Sequence, residues 1–436
     1  MENIKIGYSR ECFSPDKPVN MNSVKIGETV YEDIYTTALY LEQGQTRALV
    51  IGMDVRNVYT YFSNTVRPMI TAATGVPEEN IFLHTPHNHS SPDCSAENNP
   101  TIIDWRERIG FPAIVKAAVN AVADAKLVTA MEGGETMAPQ VNFVRRYLMA
   151  DGNWCAIGNP SKVEKVAHES DADRLLRAVR ITREGGKDIV LVSYQTHAAG
   201  ALGARPTEIN ADFVGAFRDT LEEKGNCLAM YMQGACGDVN NSTRIKSEKH
   251  LQVTYEQVGV TLAETALEAL KIAKPMDFSR LQVMATTLTC TVNHGTDHLV
   301  PTCEAIWEEK DPEKKQQLCE AAGICAFAEP GMIIRRAKFA ETEEMPLAAL
   351  ALGDLGFGFF PFEMFNTNGK QLRAASPFPM TFPCGYSLTY LGYMPSCDAV
   401  PHGGYEVFMC RYVAGTGERV VLKLAAMLQE LKNERG

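Results

Sequence analysis

Three histidines lie within six residues, in the stretch His84-Thr85-Pro86-His87-Asn88-His89, directly after a short apolar run. In an extended backbone, residues two apart point the same way, so His87 and His89 could present both imidazoles to one point. Neutral imidazole is the commonest metal ligand among protein side chains. The spacing therefore predicts a metal site, against the simpler interpretation of a polar loop that carries histidines by chance.

A further histidine and a carboxylate follow other apolar segments. His197 comes directly after residues 189–196, where a buried strand would give way to a loop rich in glycine and alanine. A single histidine at such a place is usually structural, but two strand-end sites favour a shared centre. Glu363 follows the aromatic segment 359–362 and could add an anionic ligand, with a solvent-exposed loop glutamate as the alternative.

Short β-strands that end in polar loops must position these side chains. Apolar runs of β-forming residues cover residues 48–53, 81–83, 189–194 and 228–232. Gly185-Gly186 separates residues 176–181 from 189–194, which predicts a hairpin. Helical periodicity covers residues 114–125, 213–224, 258–274 and 420–432. The pattern predicts an α/β fold of mixed, partly antiparallel β-sheets flanked by helices, with the metal site at strand ends.

Composition limits the compartment and the partners. The chain has 436 residues, 45% of them hydrophobic, and a net charge of −11 with acidic and basic residues interspersed. Without a basic run, nucleic-acid or anionic-membrane binding is not expected, which leaves a small molecule as the expected partner. No secretory signal and no apolar run of roughly 18 to 20 residues is found, so a cytoplasmic protein without a transmembrane segment is expected. The 12 cysteines include no CxxC pair, so reduced thiols are expected.

A series of motifs resembles the neutral, non-lysosomal ceramidases and the bacterial proteins that share their catalytic domain. The matching segments follow the family's order: His87-Asn88-His89-Ser90-Ser91-Pro92, Phe143-Val144-Arg145-Arg146-Tyr147, Thr196-His197, Asn210-Ala211-Asp212-Phe213, Gln233-Gly234-Ala235-Cys236-Gly237-Asp238-Val239-Asn240, Pro361-Phe362-Glu363, Tyr390-Leu391-Gly392-Tyr393 and Gly404-Tyr405-Glu406. The shared order extends over roughly residues 1 to 430. The resemblance implies a single ceramidase-like catalytic domain over residues 1–436, with the immunoglobulin-like C-terminal domain of full-length ceramidases absent.

The resemblance also implies one zinc ion per chain. Its four ligands would be His87, His197, Glu363 and Tyr393. Tyr390 is the alternative tyrosine, and manganese or iron could also bind such nitrogen and oxygen ligands. His89 would face the attacking water as general base, while Arg145 and Tyr405 would hydrogen-bond the amide oxygen as it gains charge.

The function that the resemblance implies is a zinc-dependent, ceramidase-like amidohydrolase. It would cleave the amide bond of an N-acyl substrate by metal-activated water. The substrate would be ceramide or a smaller and more soluble N-acyl compound, in sphingolipid or other lipid metabolism. The sequence names neither the acyl nor the amine part, and it does not indicate an oligomeric state.

Departures from the family pattern keep two other interpretations open. Asn240 stands where ceramidases have a serine, which favours attack by metal-activated water over a covalent serine mechanism. Phe362 replaces a glycine and would add bulk beside Glu363. These departures favour, as the alternative function, a non-catalytic metal- or ligand-binding protein that retains the ceramidase fold. A third hypothesis is a cysteine enzyme that uses Cys236 as its nucleophile.

Other polar and glycine residues of the motifs have structural interpretations. Gly234 and Gly237 could supply positive φ angles for a tight turn, in which Asp238 would bond its own loop backbone. Asp212 is expected to start a helix or to support the site, and not to act as a catalyst.

Overall fold

The predicted strands belong to one large mixed sheet in the computed structural model, which describes residues 2–21, 25–156, 163–241, 253–324 and 329–433. Eight strands lie side by side in the spatial order Leu228–Gln233, Ile189–Tyr194, Leu175–Arg183, Lys126–Met137, Lys5–Cys12, Tyr35–Gln43, Thr46–Met53 and Ile81–His84. A ninth strand, Lys274–Pro275, pairs with Lys126–Met137. All four predicted strands are confirmed, and the predicted hairpin is the antiparallel pair of Leu175–Arg183 with Ile189–Tyr194.

Parallel strand pairs form the two edges of the large sheet, while its other neighbouring strands are antiparallel. Thr46–Met53 runs parallel to Ile81–His84 at one edge, and Ile189–Tyr194 runs parallel to Leu228–Gln233 at the other. The two edge strands meet at their carboxyl ends, where the N–H of Gln233 donates to Nε2 of His84 at 2.8 Å. The loops that follow these strands are therefore brought to one place.

A second sheet packs on the first. Its four strands are Leu281–Thr291, Thr342–Leu352, Leu355–Phe359 and Met380–Cys384. Apolar side chains of both sheets form one buried cluster, which includes Leu191 of the first sheet and Leu350 of the second. Phe82 stacks on Phe359 with ring centroids 4.7 Å apart. This shared core fixes the strands that lead into the candidate site.

Helices cover the outer faces of the two sheets. Those on the first sheet are Thr60–Thr74, Phe111–Ala123, Asp212–Gly225 and Tyr255–Lys271. Those on the second are Asn366–Ala375 and Thr416–Asn433. The remaining α-helices in the described ranges are Pro100–Trp105, Ala201–Ala204, Val300–Glu308, Pro312–Ala321, Glu329–Arg336 and Tyr405–Phe408. The predicted α/β class, with partly antiparallel sheets flanked by helices, is confirmed.

Five small sheets connect the loops among the described residues. They are Val19–Met21 with Lys25–Gly27, Thr29–Val30 with Glu208–Ile209, Phe143–Val144 with Val239–Asn240, Glu363–Met364 with Tyr393–Met394, and Arg146–Met149 with Trp154–Ala156 and Lys165–His168. Of the helices that the structure describes, none is both long and apolar enough to cross a membrane.

The predicted helices exist, but their ends differ from the sequence pattern. The helix predicted over residues 258–274 extends over Tyr255–Lys271. It starts earlier because Thr254 and Gln257 form a capping box, which satisfies the free N–H groups of the first turn. It stops earlier because Lys274 begins the short strand that joins the large sheet.

Candidate metal centre

The loop after strand Ile81–His84 presents two histidines to one point, as predicted, but not through an extended backbone. His87 has a φ of 62°, in the left-handed region that non-glycine residues rarely adopt. The resulting turn leaves the ring centroids of His87 and His89 4.7 Å apart. The side chain of Asn88 stabilises the turn, since its Nδ2 donates to the carbonyls of Asp54 at 3.0 Å and Asn210 at 2.7 Å. The extended geometry behind the prediction is therefore wrong.

His84, the first histidine of the motif, is a structural residue. Its Nε2 accepts from the N–H of Gln233, and its Nδ1 donates to Oγ of Ser387 at 2.8 Å. Ser387 in turn donates to the carbonyl of Gly385 at 3.1 Å. These partners assign the single ring proton to Nδ1. Burial lowers the pKa of His84 to about 3, so the ring is neutral at neutral pH.

Nε2 of both His87 and His197 points toward Glu363. Each ring is held in this orientation by an acceptor at Nδ1, on its opposite side. Nδ1 of His87 donates to Oδ1 of Asn57 at 2.8 Å, and Nδ1 of His197 donates to the carbonyl of Val239 at 3.0 Å. With the proton on Nδ1, Nε2 of a neutral imidazole carries a lone pair. Histidines that bind metals are usually oriented by such partners.

Three acceptor atoms converge at this point. Nε2 of His197 lies 3.1 Å, and Nε2 of His87 3.3 Å, from Oε2 of Glu363. Acceptors at these distances repel one another unless ring protons or a metal ion lie between them. Burial, together with the nearby charge of Arg145, lowers the pKa of His197 to about 4, which removes its second proton at neutral pH. The donor set therefore fits a bound metal ion.

His89 completes a three-histidine cluster. One ring nitrogen from each of His87, His89 and His197 lies within 4.8 Å of the others, a spacing that could hold a metal ion. Nε2 of His89 is shielded from solvent and has no hydrogen-bond partner among the described residues. Burial is the main cause that holds the pKa of His89 well below its usual range, and the proximity of His87, Arg56 and His197 lowers it further. A neutral nitrogen without a partner indicates that another group belongs here.

Glu363 is ionised although it is only 3% exposed. Burial opposes the charge, but hydrogen bonds donated by protonated rings of His87 and His197 would hold the pKa of Glu363 well below its usual range, and a bound cation in their place would act in the same direction. The hydroxyl of Tyr390 donates to Oε1 at 2.5 Å, so the two carboxylate oxygens have different partners. Oε2 faces Nε2 of His87 and of His197.

Tyr393 lies beside Glu363 because the strands Glu363–Met364 and Tyr393–Met394 pair in parallel at these two residues. Its hydroxyl accepts a hydrogen bond from Nη2 of Arg145 at 3.0 Å. The ring of Tyr405 lies next to it, with centroids 5.6 Å apart. Within the part of the chain that the structure describes, the Tyr405 hydroxyl has no hydrogen-bond partner in the protein.

Arg145 is buried, and the protein engages each of its nitrogens. Nε donates to Glu406 at 2.7 Å, Nη1 to Oδ1 of Asn240 at 3.3 Å, and Nη2 to the carbonyl of Gly237 at 2.9 Å as well as to Tyr393. Burial disfavours the charge, but Tyr393 and Glu406 keep the pKa of Arg145 well above its usual value. The structure thus brings all seven predicted site residues into one neighbourhood.

Sequence reasoning missed three residues that support this neighbourhood. Asn57 follows the predicted strand at residues 48–53, so the strand-end argument that found His197 applies to it as well. Glu406 follows Tyr405 in the quoted motif, but its pairing with Arg145 is a long-range contact. Tyr386 stacks on His87 with centroids 4.3 Å apart and has a φ of 52°, and no sequence signal marks it.

The structure argues against the cysteine hypothesis. Cys236 is buried, with its sulfur 3.1 Å from the Tyr386 hydroxyl. Burial raises the pKa of the Cys236 thiol far above its usual range, so the reactive thiolate is not formed at neutral pH. Asp212 accepts from the N–H groups of Ala201 and Phe213, both at 2.7 Å, and begins the helix Asp212–Gly225. It therefore has the structural role that was expected.

Two expectations about the motif residues are wrong. Neither Gly234 nor Gly237 has a positive φ. Gly237 is required by close approach instead, because a Cβ there would lie 2.2 Å from the carbonyl oxygen of Glu363. Phe362 does not add bulk to the site beside Glu363, since its ring is buried in the apolar core against Tyr412, with centroids 6.0 Å apart. Asp238 does bond its own backbone, as expected, and its Oδ1 also accepts from the N–H of Asn366 in a neighbouring segment at 2.7 Å.

No protein-family model matches the sequence, and no curated protein matches it. Solved structures do match. The structure of neutral ceramidase from Pseudomonas aeruginosa superposes with a TM-score of 0.75 and 14% identity, over 100% of this chain and 75% of that chain. A ceramidase complexed with C2 superposes with a TM-score of 0.74 and 15% identity, over 100% of this chain and 76% of that chain. At these identities the likeness concerns the fold: this chain has a ceramidase-like α/β fold.

Proposed function

We propose that this chain is a zinc-dependent hydrolase that cleaves the amide bond of an N-acyl compound, with one ion per chain. One observation carries the proposal: the Nε2 atoms of His87 and His197 both lie within 3.3 Å of the same oxygen of Glu363. Beside them, Nε2 of His89 is buried without a partner among the described residues. The ceramidase-like fold supports this reaction class, because the similar structures are described as ceramidases.

Four side chains would hold the ion: His87, His197, Glu363 and Tyr393. Two neutral imidazoles and anionic oxygen suit zinc, although manganese or iron could bind the same set. Tyr393 is favoured over Tyr390 because its oxygen accepts from Arg145, whereas Tyr390 donates its proton to Glu363. When bound, zinc would polarise the scissile carbonyl and make water more acidic.

His89 is the proposed general base. Its Nε2 has no partner among the described residues and can accept a proton from the attacking water, which requires the pKa of His89 to lie nearer neutrality during the reaction than burial sets it here. The ring lies 4.7 Å from that of His87 and 6.0 Å from that of His197, measured between centroids. The same nitrogen would return the proton to the leaving amine. Transfer of this kind contributes about 10²- to 10⁴-fold in rate.

Arg145 and Tyr405 would stabilise the negative charge that develops on the amide oxygen. The hydroxyl of Tyr405 has no protein partner within the described residues, so it can donate directly to the substrate. Arg145 contributes a buried positive charge, although its nitrogens already donate to protein groups. One well-placed donor contributes roughly 2.7 to 4 kcal/mol to stabilising such a transition state.

The proposed substrate is ceramide or a smaller N-acyl compound, and the series of substrates described below distinguishes the two.

The test is the metal content of the purified protein, measured by inductively coupled plasma mass spectrometry. The native chain should hold about one zinc ion, and His87→Ala and His197→Ala should each lose it, because each removes a ligand. His89→Ala should keep the ion and lose about 10²- to 10⁴-fold in hydrolysis. Equal metal content in all three variants would contradict the assignment of roles.

Activity is tested with N-acyl amides of increasing chain length, from acetyl amides to ceramide. Hydrolysis should stop on treatment with a chelator and return when zinc is added. If native protein purified without chelators holds no metal and takes up no added zinc, the hydrolase proposal fails. The non-catalytic ligand-binding alternative would then be preferred.

A further inference from the structure

The side chain of Asn240 lies next to the candidate metal centre. Asn240 follows Val239, whose carbonyl accepts from Nδ1 of His197, and its backbone pairs with Phe143. The residue is buried, with 7% of its surface exposed. The guanidinium of Arg145 donates one hydrogen bond to the amide of Asn240 and another to the hydroxyl of Tyr393.

Arg145 fixes the orientation of this amide. A guanidinium donates hydrogen bonds and accepts none, so the atom 3.3 Å from Nη1 of Arg145 must be the oxygen Oδ1. The nitrogen Nδ2 is then turned away from Arg145. Within the described residues, Nδ2 has no hydrogen-bond partner, so both of its N–H groups are available to a bound molecule.

Arg145 is itself held in place. Of the five N–H donors of a guanidinium, four are directed at Glu406, Asn240, Gly237 and Tyr393. Glu406, whose other oxygen accepts from Arg146 at 3.2 Å, is only 1% exposed and cannot turn away to solvent. Arg145 is therefore better placed to hold its neighbours than to donate several bonds to a substrate.

We propose that Asn240 is a catalytic residue, whose Nδ2 donates a hydrogen bond to the carbonyl oxygen of the scissile amide. Arg145 is then mainly a positioning residue, which holds the Asn240 amide beside Tyr393. The proposal deepens the proposed function and rests on it. In this assignment, Asn240 and Tyr405 donate the hydrogen bonds that stabilise the negative charge on the amide oxygen.

The test compares Asn240→Asp and Asn240→Ala with the native chain. Asn240→Asp keeps the shape and the acceptor for Arg145 but removes the donor, so metal content should not change. The rate of amide hydrolysis should fall by about 10²- to 10³-fold. Asn241→Ala is the matched control, because the amide of Asn241 is buried next in the chain and has no hydrogen-bond partner among the described residues. It should keep the native rate.

A binding measurement makes the test independent of turnover. Acetohydroxamate, which carries an amide-like carbonyl, is titrated calorimetrically into each zinc-loaded protein. Asn240→Asp and Asn240→Ala should each bind it about 10-fold more weakly than the native chain and Asn241→Ala, since one hydrogen bond is lost. Native affinity in a metal-loaded, folded Asn240→Ala would overturn the proposal. If the native chain binds acetohydroxamate but cleaves no amide, the proposed function fails, and the binding comparison still decides the role of Asn240.

Discussion

Hydrogen bonds on the far side of each ring orient the two histidines that face Glu363. Asn57 holds Nδ1 of His87, and the carbonyl of Val239 holds Nδ1 of His197. Because these partners fix the proton on Nδ1, the metal-binding atom of each ring is set before any ion arrives. His84 has partners on both ring nitrogens, which is why the same residue type, three positions earlier, has a structural role.

The identity of the tyrosine ligand can be decided by spectroscopy. A phenolate bound to Fe(III) gives a visible charge-transfer band, so iron-loaded native protein should be coloured. Tyr393→Phe should lose the band, because its oxygen is the one that accepts from Arg145 and lies opposite Glu363. Tyr390→Phe is the matched control and should keep the band, since that hydroxyl donates to Glu363. The reverse pattern would make Tyr390 the ligand.

His84 should make stability depend on pH. Its pKa is lowered by burial from 6.5 to about 3, so its contribution to folding is complete above pH 6.5. It is lost progressively as the pH falls from 6.5 toward 3, because the unfolded chain takes up a proton that the folded chain excludes. Each pH unit in this window should cost about 1.4 kcal/mol of unfolding free energy.

His84→Gln provides the comparison, because glutamine keeps an acceptor for the N–H of Gln233 and does not titrate. Urea unfolding of both proteins is measured at pH 6.5 and at pH 5. The native chain should lose about 2 kcal/mol more than the variant over this interval. The other histidines are common to both proteins and cancel in the difference. Parallel pH dependences would show that His84 is not the group responsible.

At the scale of elements, the site depends on loops that touch one another directly. The N–H of Gly237 donates to the carbonyl of Met364 at 2.8 Å, and a Cβ on Gly237 would lie 2.2 Å from the carbonyl oxygen of Glu363. The loop after strand Leu228–Gln233 and the strand Glu363–Met364 therefore fit together only without a side chain. Glycine is required here by space, and not by its backbone angles.

Gly237→Ala should weaken metal binding although it removes no ligand, because the backbone of Glu363 must move. A loss of about 10- to 100-fold in zinc affinity is expected, as for changes to the supports of a metal ligand. Gly110→Ala is the control, since the nearest atom to a Cβ there lies 3.5 Å away, an ordinary contact. Competition with a fluorescent zinc chelator measures both affinities. Native affinity in Gly237→Ala would show that the two segments can separate without disturbing Glu363.

The sequence predicted the helices and strands better than it predicted the contacts between them. Apolar segments pointed to His87, His197 and Glu363, and the family resemblance added Tyr393 and Arg145. Periodicity within one segment cannot report that the N–H of Gln233 reaches His84 across the two edges of the sheet. For the same reason it missed the stacking of Tyr386 on His87. Both are contacts between residues far apart in the chain, and neither leaves a local pattern.

At the scale of the whole molecule, the candidate ligands come from both sheets and from distant parts of the chain. His87 follows an edge strand of the large sheet, and His197 follows a strand near its other edge. Glu363 comes soon after Leu355–Phe359 of the second sheet. An ion bound by all three would act as a cross-link between the layers, in addition to the apolar core between them.

Zinc should therefore stabilise the entire fold and not only the loops at the site. At a free zinc concentration 100 times the dissociation constant, linkage adds about 2.7 kcal/mol to the free energy of unfolding. Urea midpoints measured with zinc and with chelator should differ accordingly in the native chain and coincide in His87→Ala. Hydrogen exchange should also slow in strands of both sheets, such as Ile189–Tyr194 and Leu355–Phe359. Slower exchange confined to the loop of His87 would mean that the ion orders one loop without joining the sheets.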